Sequence, residues 1–184
     1  FRRVLFRSYV AAAGDMRMLS QRLAKASNLA LLGNAAAFKQ LRESRDSFAL
    51  NLDALTNGGE LASTRVPASP GSVQPQLQAL TESWARTDAN AAKLLEMEKN
   101  LVSLGKDVAA INEKNPQLLE LSEQIASLKL QGGAGVREIA EANRLVMLTQ
   151  RIAKNASALL VGDAIDAETA FLLGKDTTTF RDTL

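Results

Sequence analysis

Met18-Leu-Ser-Gln-Arg-Leu-Ala-Lys25 recurs as Met147-Leu-Thr-Gln-Arg-Ile-Ala-Lys154, a shift of 129 residues with six of the eight positions identical. The other two pairs, Ser20/Thr149 and Leu23/Ile152, keep size and chemistry. Around the first copy, Ala12, Met16, Leu19, Leu23, Ala26 and Ala30 follow 4-3-4-3-4 spacing. That spacing draws an apolar seam along one face of a helix in a bundle. Under the same shift Leu19, Leu23, Ala26 and Ala30 fall on Leu148, Ile152, Asn155 and Leu159, Gly33 falls on Gly162, and Ala35 on Ala164. One register, one stop signal and a further helix in both places read as a duplicated helix–turn–helix unit. The competing explanation is chance recurrence of ordinary helix sequence. The length of the match and the paired glycines argue against it.

The rest of the chain agrees with helices. Of 184 residues, 46% are apolar, which suffices for a core, and only 4% are aromatic. Ala and Leu dominate, and both favour helix, whereas strands draw on β-branched and aromatic residues. With 22 basic and 20 acidic residues the chain is too balanced to argue for nucleic acid or an anionic surface. Cysteine and histidine are absent. Their absence excludes disulfides, thiol nucleophiles, the usual zinc sites and histidine-based triads. No run approaches the ~18–20 apolar residues of a membrane span.

Outward from the motif, the first helix is expected over about Val10 to Leu32, ended by Gly33-Asn34. A second, over about Ala36 to Leu55, carries Phe38, Leu41, Phe48, Leu52 and Leu55 on one stripe and stops at Asn57-Gly-Gly59. The short joint makes the two antiparallel neighbours. Residues 56–72, with two prolines and three glycines, read as a loop. A long helix is expected from Gln74 to Glu113, with Leu77, Leu80 and Trp84 opening its stripe and Leu94, Met97, Leu101, Leu104, Val108 and Ile111 continuing it. Asn115-Pro116 should break it, because the residue before proline avoids helical geometry. Leu118, Leu121, Ile125 and Leu128 then carry a shorter helix to a Gly132-Gly-Ala-Gly135 hinge. The fifth helix spans about Val136 to Val161 and ends at Gly162-Asp163. The last begins near Asp166 and carries Phe171, Leu172 and Phe180. The chain stops at Leu184 within a helical pattern, as a boundary inside a helix would.

The expected fold is all-α: an elongated antiparallel helical bundle built from a duplicated helix-turn-helix unit joined by a long central helix. Residues 1–8, basic and apolar, depart from the pattern and read as a membrane-proximal flank or a foreign scar. Residues 9–184 form the helical domain, with repeat one at about 10–56, central helices at about 73–130 and repeat two at about 136–184.

Gly14-Asp-Met-Arg-Met-Leu-Ser-Gln-Arg-Leu-Ala-Lys25 resembles the N-terminal sensor domain of type IV pilus methyl-accepting chemotaxis transducers, the PilJ type. It is also similar to the P-box of nitrate sensor kinases, of the form Gly-x-x-Arg-Met-x-Ser-x-Arg. The resemblance is strongest over residues 10–60 and recurs at 136–164; the duplicated motif favours the pilus transducers. It implies a noncatalytic periplasmic domain of a bacterial inner-membrane protein, flanked by transmembrane helices and acting as a homodimer. It implies control of twitching motility and engagement of the pilin subunit as a partner. No cofactor, metal or nucleic acid is implied. The alternatives are a small-anion sensor of the nitrate-kinase kind and a purely structural bundle.

The residues that would carry binding follow from the motif. Arg17 matches the P-box arginine and Gly14 the glycine beside it. A guanidinium is a forked donor suited to oxyanions, and glycine lets a partner approach closely. The competing role for Arg17 is an ordinary solvated or salt-bridging side chain. In the second copy Val146 and Asn143 stand at these positions, so anion binding is expected of the first copy alone. Gln21 and Arg22 are further ligand candidates. Their counterparts Gln150 and Arg151 suggest a shared structural role toward a neighbouring helix. Ser20 and Thr149 should bond locally. Arg45, on an apolar stripe, either pairs with an acidic residue or marks where the stripe faces water. Trp84 reads as a core anchor. Acidic residues such as Glu96, Glu98, Asp107 and Glu113 alternate with lysines as a solvated face, so no constellation supports catalysis.

Overall fold

The computed structural model describes residues 2–61, 64–161 and 166–184. Among these, the chain forms α1 (Arg2–Leu31), α2 (Ala35–Asn57), β1 (Gly59–Leu61), β2 (Thr64–Val66), α3 (Gln74–Glu96), α4 (Glu98–Gln131), α5 (Val136–Val161) and α6 (Ala167–Thr183). The class is all-α, with one two-stranded hairpin. Two compact units divide the chain at residues 102 and 103.

In the first unit, α1 and α2 form a helical hairpin. Its turn follows from local chemistry. Gly33 takes φ 78°, and the amides of Gly33 and Asn34 reach back to the Ala30 and Leu29 carbonyls. This is a glycine-closed helix end. The Asn34 side chain then accepts from the Ala37 amide, capping α2. The expected seams are buried: Ala12, Met16, Leu19, Leu23, Ala26 and Ala30 on α1, and Phe38, Leu41, Phe48, Leu52 and Leu55 on α2. α3 lies against α2, with Leu77 and Ala91 in the same core. Leu101, at the start of α4, joins Ala30, Ala37 and Phe38.

Four expectations need correction here. First, α1 does not begin near Val10 but runs back to Arg2, because nothing in the preceding residues breaks a helix. Second, residues 56–72 are not all loop. β1 and β2 pair antiparallel, Gly59 with Val66, Glu60 with Arg65 and Leu61 with Thr64, and they bury Leu61 and Val66 against the α1–α2 hairpin. Three-residue strands are too short to show a period among glycines and prolines. Third, the helix from Gln74 does not run unbroken to Glu113. Met97, at φ −85° and ψ 0°, interrupts it, its amide shared between the Lys93 and Leu94 carbonyls. Fourth, Asn115-Pro116 does not break the helix, and α4 passes through Pro116. The proline leaves the Asn112 carbonyl without its helical donor, a cost of about 3 kcal/mol in a helix interior. The helix on either side offsets this by packing: Asn112 bonds the Ser157 side chain at 3.1 Å, and Leu118 lies against Leu145, Leu148 and Phe180.

In the second unit α5 and α6 form another hairpin, with Leu145, Leu148 and Phe180 at its core. α4 ends in the same way as α1: Gly133 takes φ 71°, and Ala134 and Gly133 donate to the Lys129 and Leu130 carbonyls. Asp166 caps α6, accepting from the Glu168 and Thr169 amides. The expected stop at Gly162-Asp163, and the Ala35–Ala164 match, lie outside the described residues. Phe171 is not part of the buried stripe; it is 68% exposed. The cap sets a register in which Asp176 and Phe180, four apart, face inward, and Phe171 falls off that face. Leu121, Ile125 and Leu128 are likewise exposed, because α4 turns its Leu118–Ser122 face inward instead.

Candidate functional site

The motif helix α1 has three functional faces. Its seam is buried in the core. A second face carries Gly14, Arg17, Met18 and Gln21, all exposed. Residues three and four apart share a helix face, so these four form one strip. Gly14 sits mid-helix with open space where a Cβ would be. Neither backbone strain nor packing within the chain requires a glycine there. Among the described residues no ion pair engages the Arg17 guanidinium; only its backbone carbonyl is used, accepting from the Ser20 hydroxyl at 2.8 Å. The structure thus brings Gly14, Arg17 and Gln21 onto one open strip.

Arg22 is not part of that strip. It turns toward α2 and meets Glu43 at 3.4 Å, where Lys39 also approaches at 3.9 Å. Its repeat counterpart Arg151 turns toward α6 and meets Asp176 at 3.0 Å. In both copies the repeated arginine therefore pins the motif helix to the helix that follows it. Gln150 is exposed, like Gln21. Ser20 and Thr149 also act alike, each donating to the carbonyl three residues back, Arg17 and Val146.

α3 is fixed to α2 by Arg45, whose Nε and Nη2 reach both oxygens of Asp88 at 2.6 and 3.1 Å. The hydrogen bond to Asp88 pushes the Arg45 pKa up. The same bond holds the Asp88 carboxyl below the usual carboxylate range, against a smaller opposing effect of burial. Arg42 ties α2 to the first residue of α4, Glu98, at 3.0 Å.

The third face of α1 borders a groove that sequence reasoning missed. Ser20, Ala24 and Ser27 look across it to Trp84 on α3, which stacks on Phe48 with ring centroids 4.2 Å apart. The available signal was the run of small residues at 20, 24 and 27, one helix face beside the seam. The groove itself depends on where α3 lies. Among the described residues, no group of three or more acidic side chains converges as a metal site would. No described helix is long and apolar enough to cross a membrane.

Comparison with known proteins agrees with this helical, motif-bearing architecture. The family described as type IV pili methyl-accepting chemotaxis transducer N-term matches residues 7–109, more than half of the chain. Protein PilJ of Pseudomonas aeruginosa is 33% identical over 174 residues, covering 95% of this chain and 25% of that protein. A putative methyl-accepting chemotaxis protein, AlkN, of Alcanivorax borkumensis is 26% identical over 171 residues, covering 93% of this chain and 24% of its own length. The chain spans about a quarter of the length of these relatives.

Proposed function

The chain belongs to the family of N-terminal domains of type IV pili methyl-accepting chemotaxis transducers, and from that premise we propose that it is the signal-receiving, periplasmic domain of a membrane-anchored transducer controlling twitching motility. The family is one of noncatalytic signalling domains. In this reading residues 9–184 work as a duplicated pair of helical hairpins within a homodimer. A stimulus biases helix positions by ~1–2 Å, a known mode of switching.

The observation that carries the reading beyond family membership is the open strip on α1. Gly14 lacks any reason within its own chain, and Arg17 has no ion-pair partner among the described residues. A second copy laid along the strip gives both a role: glycine admits a close helix approach, and the guanidinium meets polar groups of the partner. The pilin subunit is the stimulus the family suggests. A second reading, in which Arg17 binds a small anion such as nitrate, rests on the same free guanidinium.

The chain has no cysteine, so single cysteines report proximity cleanly. Under mild oxidation, Gly14→Cys and Gln21→Cys should form disulfide-linked dimers, while Leu50→Cys, on an exposed face of α2, should not. Equal or absent crosslinking at all three sites would reject a dimer along this strip. In the intact transducer, Gly14→Leu should alter twitching output at normal protein levels. Thermal stabilisation by nitrate that Arg17→Ala abolishes would instead select the anion reading.

A further inference from the structure

We propose that the groove between α1 and α3 is a binding site for an uncharged, largely apolar small molecule with a planar body. Its volume is about 590 Å³, within the ~300–1,000 Å³ of small-molecule sites. Phe48 and Trp84, stacked on one another, supply the aromatic surface, and Leu23, Leu80 and Leu94 extend it. Ser27, Ser83 and Asn90 supply polar groups that make no side-chain hydrogen bond among the described residues. An aromatic wall with a few free polar groups at the rim is the usual make-up of a site that both holds and orients a ligand.

The chemistry of the ligand follows from what is missing. No Asp, Glu, Lys or Arg lines the groove. A charged molecule entering it would lose hydration with no ion-pair partner to compensate. A neutral one gains apolar contact at no such cost.

The internal repeat shows that the groove is particular to the first copy. Thr149 and Ala156 hold the positions of Ser20 and Ser27, and both are fully buried within the second unit. The same face of the same motif is therefore more fully covered in the second hairpin than in the first. A molecule bound in the first copy would touch α1, which carries the motif, and α3 together. The site stands on the groove alone and goes beyond the signalling reading, which survives if no ligand binds here.

Trp84 is the only tryptophan, so energy transfer from it reports dye bound in or near this groove, and substitutions in the groove localise it. The probe is phenylnaphthylamine, an uncharged aromatic amine, titrated into the 184-residue chain. Transfer should saturate at one dye per chain. Anilinonaphthalenesulfonate, of similar body but anionic, should bind at least about tenfold more weakly. Ala24→Leu and Ser27→Leu fill the groove from positions that are not fully buried, and each should weaken phenylnaphthylamine about tenfold or more. Far-UV circular dichroism and melting check that both remain folded, and Leu50→Ala on α2 should leave binding unchanged. Absent transfer, several dyes per chain, or binding indifferent to both substitutions would overturn the site. Equal binding of the anionic dye would overturn the uncharged ligand.

Discussion

Arg151 Nη2 lies 3.0 Å from Asp176 Oδ1, and the Asp176 side chain is only 4% exposed. Its second oxygen is buried with no hydrogen-bond partner among the described residues. At the equivalent place in the first copy, Arg22 meets Glu43 at 3.4 Å, with the side chains 44% and 50% exposed. One repeated arginine thus serves two unequal ion pairs, and the inequality is measurable.

Arg151→Ala strands a buried carboxylate. It should destabilise the chain by about 1–3 kcal/mol, less than a fully buried pair would lose because Arg151 is itself partly solvated. Arg22→Ala should cost about 0.5 kcal/mol or less. Urea unfolding of the two variants compares them directly. Equal losses would mean that Asp176 finds another partner or water once Arg151 is gone.

The Arg45–Asp88 pair makes stability depend on acid pH. Asp88 titrates lower in the folded chain than in the unfolded one, so its contribution is complete above the ordinary carboxylate value of about 3.9. That contribution fades as pH falls through the folded value. Arg45 stays charged throughout this window. Asp88→Asn should therefore lower stability by about 1 kcal/mol at neutral pH, and the difference from the parent chain should shrink toward pH 2. Thermal melts across that range test it. A difference constant with pH would assign the effect to packing of α3 rather than to charge.

Gly58 and Gly14 should respond oppositely to alanine. Gly58 holds φ 83° and ψ 153°, and a Cβ there would stand 2.8 Å from the Ala68 amide nitrogen. Gly58→Ala should cost about 1–3 kcal/mol by loosening the turn from α2 into the hairpin. Gly14 is helical with open space around it. Gly14→Ala should raise the stability of the unpaired chain by about 0.5–1 kcal/mol. Melting curves at low protein concentration read both. A destabilised Gly14→Ala chain would show that the glycine is needed within the chain itself.

What was legible in the sequence was local. Helix ends at Gly33, Asn34 and Asp166 are set by side chains acting on backbone groups a few residues away, so the residues themselves announce them. The seam of α1 and α2 was legible because helical period maps sequence spacing onto one face. So was the family, because its motif is contiguous and occurs twice. Pro116 misled because its local cost is real but is met by contacts from Asn112 and Leu118 to other helices. The exposure of Phe171 and of the Leu121–Leu128 stripe was hidden for a related reason: apolar spacing says which residues share a face, and only packing says whether anything covers it. The sequence by itself determined the helices, their turns and the repeated motif. Tertiary structure alone decided which acidic side chains Arg22 and Arg151 meet, that Gly14 and Arg17 stay open, and that Trp84 borders a groove. These depend on the distance between helices far apart in the chain, which no local pattern encodes.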